Sequence, residues 1–534
     1  MSRSAVHVLC MLLVGLAWVS LACVTLQSCD GCGTAEPDGC NAGTCEDDGG
    51  EADDGAAADG DPGFDGDSEV IDRGSEEDGV TVKQVRIDWL RTAGGLGWDE
   101  GRDVVFDSAG NILAAGMVLG KADLFGQETR SGRWEDAWIT SFSRLGRPLR
   151  RWTVSGEHWD VSEGLCAAPD GGTRVVGGFT SSAELPGSGN DPRRIQAAGW
   201  SDWFSVGISN AGIMLEPSRG GGEGPELGKA CVAGPSGTFL VGSDTYGRKL
   251  ESQAIRLDQI EADGRVTDGW AIGVSRISPQ DRSWVWLEGM AGGPGEPVLL
   301  AGHFSSRAYF ARTDGSEVVL QGGALGMYAA AFDWEPNGRG LGLRWAVGST
   351  GTCRAAAKAA AVLSDGSALV CGRFAKGALR VGPEQVAGLG GWDGFVLKLR
   401  PDGEVAWLLG LGGPGNDGCM GITQDGDGGF VVAGYAEGPV QLRGRGPRTV
   451  DLAGHGGRDV LSAGFDSEGA LLWARLDGGP GQDIGHAVAR GPGGVFALTG
   501  WFEQRAVFGE GAVGEFWVQS AGDRDVFVLA FSVD

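Results

Sequence analysis

The chain has 534 residues, 99 of them glycine and 19 tryptophan, and a formal net charge of −28. From residue 81 onward the charge is still −12, which repels phosphate and excludes a nucleic-acid partner. Helical periodicity is absent apart from an Ala-rich run at Ala355–Ala361, so helical and α/β architectures are excluded too.

Residues 1–29 read as an export signal. Arg3 supplies the positive start, and the run from Ala5 to Ala22 is nearly free of polar groups but marginal as a membrane span. Its end resembles a bacterial lipobox, with Cys29 in "LQSC" as the lipidated residue and Cys23 in "SLAC" as the alternative. Removing the signal and lipidating Cys29 leaves eight cysteines, an even number suited to an oxidising compartment. The expectation is a lipoprotein of the bacterial envelope, at the outer membrane or surface and held by lipid alone. Simple cleavage, giving a secreted or periplasmic protein, is the other reading.

Residues 30–80 carry 18 Asp or Glu against Arg73, with Phe64 as the sole aromatic. Such a segment buries too little apolar surface to offset chain entropy and is expected to be a disordered acidic stalk. Its ends would lie about 40 Å apart. Cys32, Cys40 and Cys45 favour local disulfides over a zinc knot, because the C-x2-C pair is not repeated.

Residues 81–534 repeat with a period of about 65 residues. A glycine closing a strand returns at Gly116, Gly178, Gly242, Gly302, Gly372, Gly434 and Gly500. A tryptophan opening another returns at Trp89, Trp152, Trp270, Trp345, Trp407 and Trp473, with Leu215 in the remaining slot. The clearest unit is Asp417–Leu476: "GCMGITQ", "FVVAGYA", "DVLSAGFD" and "ALLWARL" read as four strands separated by Gly/Asp turns. Four antiparallel strands per repeat make a propeller blade. The chain ends after a third-strand motif, "DVFVLAFSVD", and begins after the stalk with a fourth-strand motif, "VKQVRIDWLRTAGG". The predicted fold is therefore an all-β, seven-bladed propeller whose last blade is closed by the N-terminal strand.

The unit W-L-x-x-x-G-G-x-G-x-D, then D-x-x-G-N, A-x-G and G-x-D-x-F-V-x-x-L resembles the seven-bladed bacterial β-propeller repeat (SBBP) family. Here it reads Trp89, Gly94-Gly95, Gly97 and Asp99, then "DSAGNILAAG" and "EDAWITSF". Gly412-Gly413, Gly415 and Asp417, and Gly478-Gly479, Gly481 and Asp483, repeat it, while the third and fourth units depart from it. The resemblance implies an exported propeller and carries no catalytic residues.

Two sets of aspartates recur. Asp99, Asp160, Asp417 and Asp483 precede first strands; Asp136, Asp202, Asp393, Asp459 and Asp525 start third strands. Both fall at the same end of an up-down-up-down blade. The favoured role is accepting backbone N–H groups at turns, with calcium as the alternative and no other cofactor expected. The connections Val118–Glu135, Phe179–Ser201, Phe374–Trp392, Ala436–Arg458 and Phe502–Arg524 read as long variable loops on that same side. Trp98, Trp134, Trp159, Trp200, Trp392 and Trp501 lie in or near such connections and are the candidate aromatic anchors. His158, His303, His455 and His486 read as exposed loop residues. Cys166 pairs by position with Cys231, as Cys353 does with Cys419.

No nucleophile elbow, phosphate loop or zinc-protease helix motif is present. The functional expectation is a non-catalytic binding or scaffold module with a monomeric head, taking a protein or glycan partner on the loop-rich face. The alternatives are a polysaccharide-acting enzyme with carboxylates in the central funnel, and a purely structural envelope protein.

Overall fold

A computed structural model describes residues 83–534, apart from 130–133, 186–191, 247–252, 276–282, 337, 339, 376, 427 and 512–513. The export signal, the lipobox cysteines Cys23 and Cys29, and the acidic stalk lie outside the described residues. Among those residues, strand pairing builds seven four-stranded antiparallel units, numbered here as blades 1 to 7 with strands a to d. Blade 1 consists of Glu100–Phe106, Ile112–Leu119, Glu135–Phe142 and Pro148–Gly156. The a strands of blades 2 to 7 are Asp160–Ala167, Glu226–Ala233, Trp284–Ala291, Arg354–Val362, Gly418–Gln424 and Asp483–Arg490. Each a strand packs against the a strands of both neighbouring blades, and that of blade 7 packs on that of blade 1. The sheet stack thus closes on itself as a β-propeller, with the a strands innermost.

Closure uses the N-terminal strand as expected. Val85–Gly95 is strand d of blade 7 and pairs with strand c, Asp525–Val533, from Val85↔Val533 to Ala93↔Val526. Ile87, Trp89, Leu90 and Ala93 are buried by that docking. The repeat tryptophans join blades: Trp89 Nε1 donates to the Arg144 carbonyl at 2.9 Å, and Trp345 Nε1 to that of Pro401 at 3.0 Å. Each acceptor lies in the c–d turn of the following blade. Leu215 departs from its expected place. It sits 40% exposed in a connection, and strand d of blade 2 is only Ser218–Gly220. Without a tryptophan to bury, little holds a longer outer strand.

The Ala-rich run is strand Arg354–Val362, with Ala355 and Ala357 fully buried. Alanine favours helix in isolation, but the innermost seam of the ring admits only small side chains. The strand-b glycines mark that seam. Gly116, Gly302, Gly372, Gly434 and Gly500 pair with Gly101, Leu287, Ala357, Cys419 and Gly485. In blades 2 and 3 the equivalent residues are Gly177 and Ser243, one position from Gly178 and Gly242. A methyl group at Gly116, Gly177 or Gly434 would overlap a strand-a carbonyl oxygen, of Glu100, Val161 or Gly418 respectively.

In their described residues, several connections read as variable loops form paired strands. Blades 4 to 7 insert hairpins between strands b and c: Arg307–Ala311 with Glu317–Gln321, Ala378–Val381 with Glu384–Ala387, Val440–Arg443 with Thr449–Leu452, and Arg505–Phe508 with Phe516–Gln519. In blade 2 the b and c strands themselves run on, as Thr173–Leu185 and Arg193–Ile208. Several of these extensions pair with strand d of the preceding blade: Phe310 with Gly273, Val381 with Ser349, and Ala183 with Gly156. They are latches between blades as much as surface. Four-residue strands with one buried edge are too short to show a period in sequence.

Candidate functional site

All the recurring aspartates lie at the hairpin-bearing end of the blades, and all are buried. Asp99 accepts the N–H of Gly95 at 2.5 Å and of Leu119 at 2.9 Å. Asp417 takes Gly413 and Glu437 at 2.6 and 3.0 Å, and Asp483 takes Gly479 and Glu503 at 2.8 and 3.1 Å. Gly156 and Thr180 face Asp160 at the same sequence spacing. Asp99, Asp417 and Asp483 therefore each tie the d–a turn before them to the end of strand b behind them. The strand-c aspartates make the turn half of this arrangement: Asp202 accepts from Ala198 (2.9 Å), Asp393 from Leu389 (3.1 Å), Asp459 from His455 (2.8 Å) and Asp525 from Ala521 (3.0 Å). Asp136 holds the equivalent place in blade 1.

The two sets meet across blade boundaries as Asp525 with Asp99, Asp136 with Asp160, Asp202 with Glu226, Asp393 with Asp417, and Asp459 with Asp483. Burial first, then the facing carboxylate, pushes the pKa of Asp99 up to about 7, Asp160 to about 9, Asp417 to about 6 and Asp483 to about 7. Burial alone raises Asp525 to about 6. The first glycine of the Gly-Gly motif explains itself here: a methyl on Gly412 would lie 2.7 Å from Asp417 Oδ2 and 2.9 Å from Asp393 Oδ1. Among the described residues no group of three or more Asp, Glu, His or Cys is placed to hold a metal ion.

Of the expected anchors, Trp98 and Trp134 are 43% and 42% exposed, and Trp159, Trp200 and Trp392 are half-buried. Trp501 is a correction. It lies inside strand b of blade 7, Val495–Phe502, and is buried. The Arg524 guanidinium stands 4.9 Å from the Trp98 ring and 4.0 Å from Trp501. Trp501, Ile484 and Tyr435 form one apolar cluster backed by Met420. Arg373 donates to the Tyr435 hydroxyl at 3.1 Å and covers Trp392 at 4.8 Å, and Arg354 covers the same ring at 5.4 Å. A ladder of aromatic and guanidinium groups thus runs from Trp98 to Arg354 across blades 1, 7, 6 and 5. Trp517, 55% exposed on a hairpin with Arg505 4.2 Å above it, was not among the expected anchors.

Behind this face the channel holds a set of residues that sequence reasoning missed. Every a strand has a β-bulge at the same place, and the extra residues it inserts are Arg102, Glu163, Lys229, Glu288, Lys358, Met420 and His486. A bulge re-aims a side chain, here from the blade interface toward the axis. Glu288 takes Lys358 at 2.7 Å, and Glu163 lies 3.6 Å from Lys229. Burial opposes the Glu288 charge, but Lys358, His303 and Lys229 outweigh it and hold the carboxyl well below its ordinary range. His303 belongs to strand b of blade 4 and stacks on Trp286 at 4.7 Å; His486 belongs to strand a of blade 7. Neither is an exposed loop residue. A signal existed: the bulged residue stands three after the motif carboxylate at Asp99, Asp160, Glu226, Asp417 and Asp483.

Cys166 and Cys231 form a disulfide joining the a strands of blades 2 and 3. Cys353 does not pair with Cys419. It is a buried free thiol, and the thiol of Cys419 meets that of Cys371.

No protein family matches the chain, and no curated protein matches it. Among solved structures it is similar to the WD40 domain of Neurospora crassa Pan2, at 9% identity and a TM-score of 0.28. That alignment covers 62% of this chain and 85% of the Pan2 domain. The propeller fold itself follows from strand pairing and ring closure.

Proposed function

We propose that this chain is an exported, non-catalytic propeller of the SBBP type, tethered to the envelope by a lipid on Cys29 or Cys23. It presents its hairpin-bearing face to a protein or glycan partner. The aromatic–guanidinium ladder at that face carries the reading. Tryptophan and arginine are the side chains that supply most binding energy at interfaces, and rigid strands hold these in place. Both channel glutamates of the bulge ring are bound to lysines, which favours recognition over acid–base chemistry. The signal, the lipobox and the acidic stalk support the tether and the envelope location.

The full chain is to be screened on a glycan array and by cross-linking to envelope proteins, beside a W98A/W134A variant. Both tryptophans are half-exposed, so the variant is expected to keep its Tm and lose at least tenfold in partner affinity. Unchanged affinity would move the binding surface elsewhere. For the tether, a palmitate analogue should label the wild type and not a C23S/C29S variant.

A further inference from the structure

Seven bulge residues cannot alternate in charge around a closed ring. From blade 1 they run Arg102, Glu163, Lys229, Glu288, Lys358, and then Met420 and His486 before the ring returns to Arg102. The alternation breaks in blades 6 and 7, where an uncharged arc is bordered by Lys358 on one side and Arg102 on the other. Two further cations overlook it. Among the described residues Arg373 Nε is buried with no hydrogen-bond partner, and Arg524 reaches Glu100 at 2.7 Å. The anions nearby are engaged: Glu100 with Arg102 (2.6 Å) and Arg524, Glu288 with Lys358, and Glu503 3.9 Å from Arg524. Arg354 and Arg458 add two more guanidinium groups, at the Trp392 and Tyr435 rings, and Glu437 lies 3.9 Å from Arg458, so cations outnumber anions around the arc. Burial, then Arg102, with Arg524 and Lys358 adding to it, pushes His486 down to about 3, so its imidazole is neutral and retains one N–H donor. Met420 and Ile484 form an apolar wall against Tyr435 and Trp501.

We propose that this arc of the channel binds an acidic sugar of the uronic-acid class, its carboxylate facing Lys358, Arg373 and His486 and its ring against the half-buried Trp392. An anionic group matches this excess of positive charge. Arg373 has the planar donor geometry that carboxylates take, and the surrounding burial strengthens the pairing. The half-buried Trp392 indole beside it suits a pyranose ring, which has apolar faces and polar edges. This inference rests on the reading of the hairpin-bearing face as a binding surface and names the ligand class.

The test is calorimetric titration of the full chain with glucuronic and galacturonic acid and their short oligomers, with glucose and acetate as separate arms. The acidic sugars are expected to bind, and glucose and acetate to bind at least tenfold more weakly. K358M and R373Q should each cost at least tenfold in uronate affinity, whereas K121A, on an exposed hairpin outside the channel, should cost nothing. M420E places a carboxylate in the uncharged arc without removing an ion pair. It is expected to keep Tm and to abolish uronate binding, and it keeps the test decisive if K358M or R373Q fails to fold. Absent uronate binding, or uronate binding unmoved by K358M and M420E, overturns the proposal. Acetate binding as tightly as glucuronate overturns the sugar assignment. A chain that binds a partner through Trp98 and Trp134 but no uronate sinks this inference and leaves the binding face standing; one that binds neither sinks both.

Discussion

Among the described residues, five blade boundaries hold two buried carboxylates, and two do not: the boundary between blades 3 and 4, and that between blades 4 and 5. At the first of these, Ser275 and Gln253 exchange hydrogen bonds, Oγ accepting the Gln253 N–H and donating to its carbonyl, both at 3.1 Å. At the second, Ser349 Oγ accepts the Met327 N–H at 3.1 Å. The same structural need, a partner for backbone N–H groups where strands start, is thus met by carboxyl groups in one part of the ring and by serine hydroxyls in the other. The difference teaches why the repeat motif fades in blades 3 and 4. Where a serine hydroxyl does the holding, neither the aspartate nor the glycine that makes room for two carboxylates is required.

The comparison can be broken most severely at the boundary where blade 7 meets blade 1. Deleting residues 83–95 removes the strand that carries Trp89 and the Gly94-Gly95 turn. It exposes the c strand of blade 7 and should cost roughly 6 kcal/mol or more, most of the stability of an ordinary domain. Urea unfolding reads this directly, and a variant melting like the wild type would mean the clasp does not hold the ring.

Next in size is the disulfide at the boundary between blades 2 and 3, where Glu226 replaces the motif aspartate. Cys166 and Cys231 close a loop with a sequence separation of 65, so the C166A/C231A variant should lose about 4 kcal/mol on the chain-entropy estimate. A loss below about 1 kcal/mol would show that the polar contacts there suffice.

A single methyl group sharpens the contrast itself. On Gly478 it would overlap Asp459 Oδ1 and lie 2.6 Å from Asp483 Oδ2; on Gly348 its nearest neighbours are 3.2 Å away. G478A is expected to cost about 2–3 kcal/mol and G348A less than about 1. Equal costs would remove the carboxylate pair as the reason for the glycine.

The same carboxylates also impose a pH slope. Asp99, Asp160, Asp417, Asp483 and Asp525 have folded pKa values of about 6 to 9, above the unfolded value of about 3.9. The folded state therefore binds more protons than the unfolded one. Their contribution is fully present below pH about 4 and is lost as pH rises through about 6 to 9. Tm should rise by several degrees as pH falls from about 9 to 5, and D417N/D483N should flatten that slope. A Tm that instead falls over this range would show that the pairs are held charged.

Much of the fold is legible in the repeat. Trp89, Trp345 and Trp473 recur because each blade must bury its outer strand on the next, and Gly116 or Gly434 recurs because strand a curls a carbonyl over it. The matching phases of Val85–Gly95 and Asp525–Val533 point to the clasp. The hairpins are not legible, because segments such as "ALRV" and "EQVA" form strands only by docking on a neighbouring blade. His303, His486 and Trp501 depart from their expected places for a related reason: polar or large residues inside a strand interrupt the alternation by which strands are recognised.

What the sequence determined by itself was therefore whatever repeats: the strands, the turns, the aspartates that hold them, and the closure of the ring. These are local demands of one blade on its neighbour, imposed at most of the seven boundaries and so visible as a period. What only the tertiary structure decided was the meeting of unlike residues at the axis. Arg102, Glu163, Lys229, Glu288, Lys358, Met420 and His486 stand far apart in the chain and follow no single residue type. Ring closure and one bulge per inner strand bring them to one place, where each side chain's charge acquires meaning from the six around it.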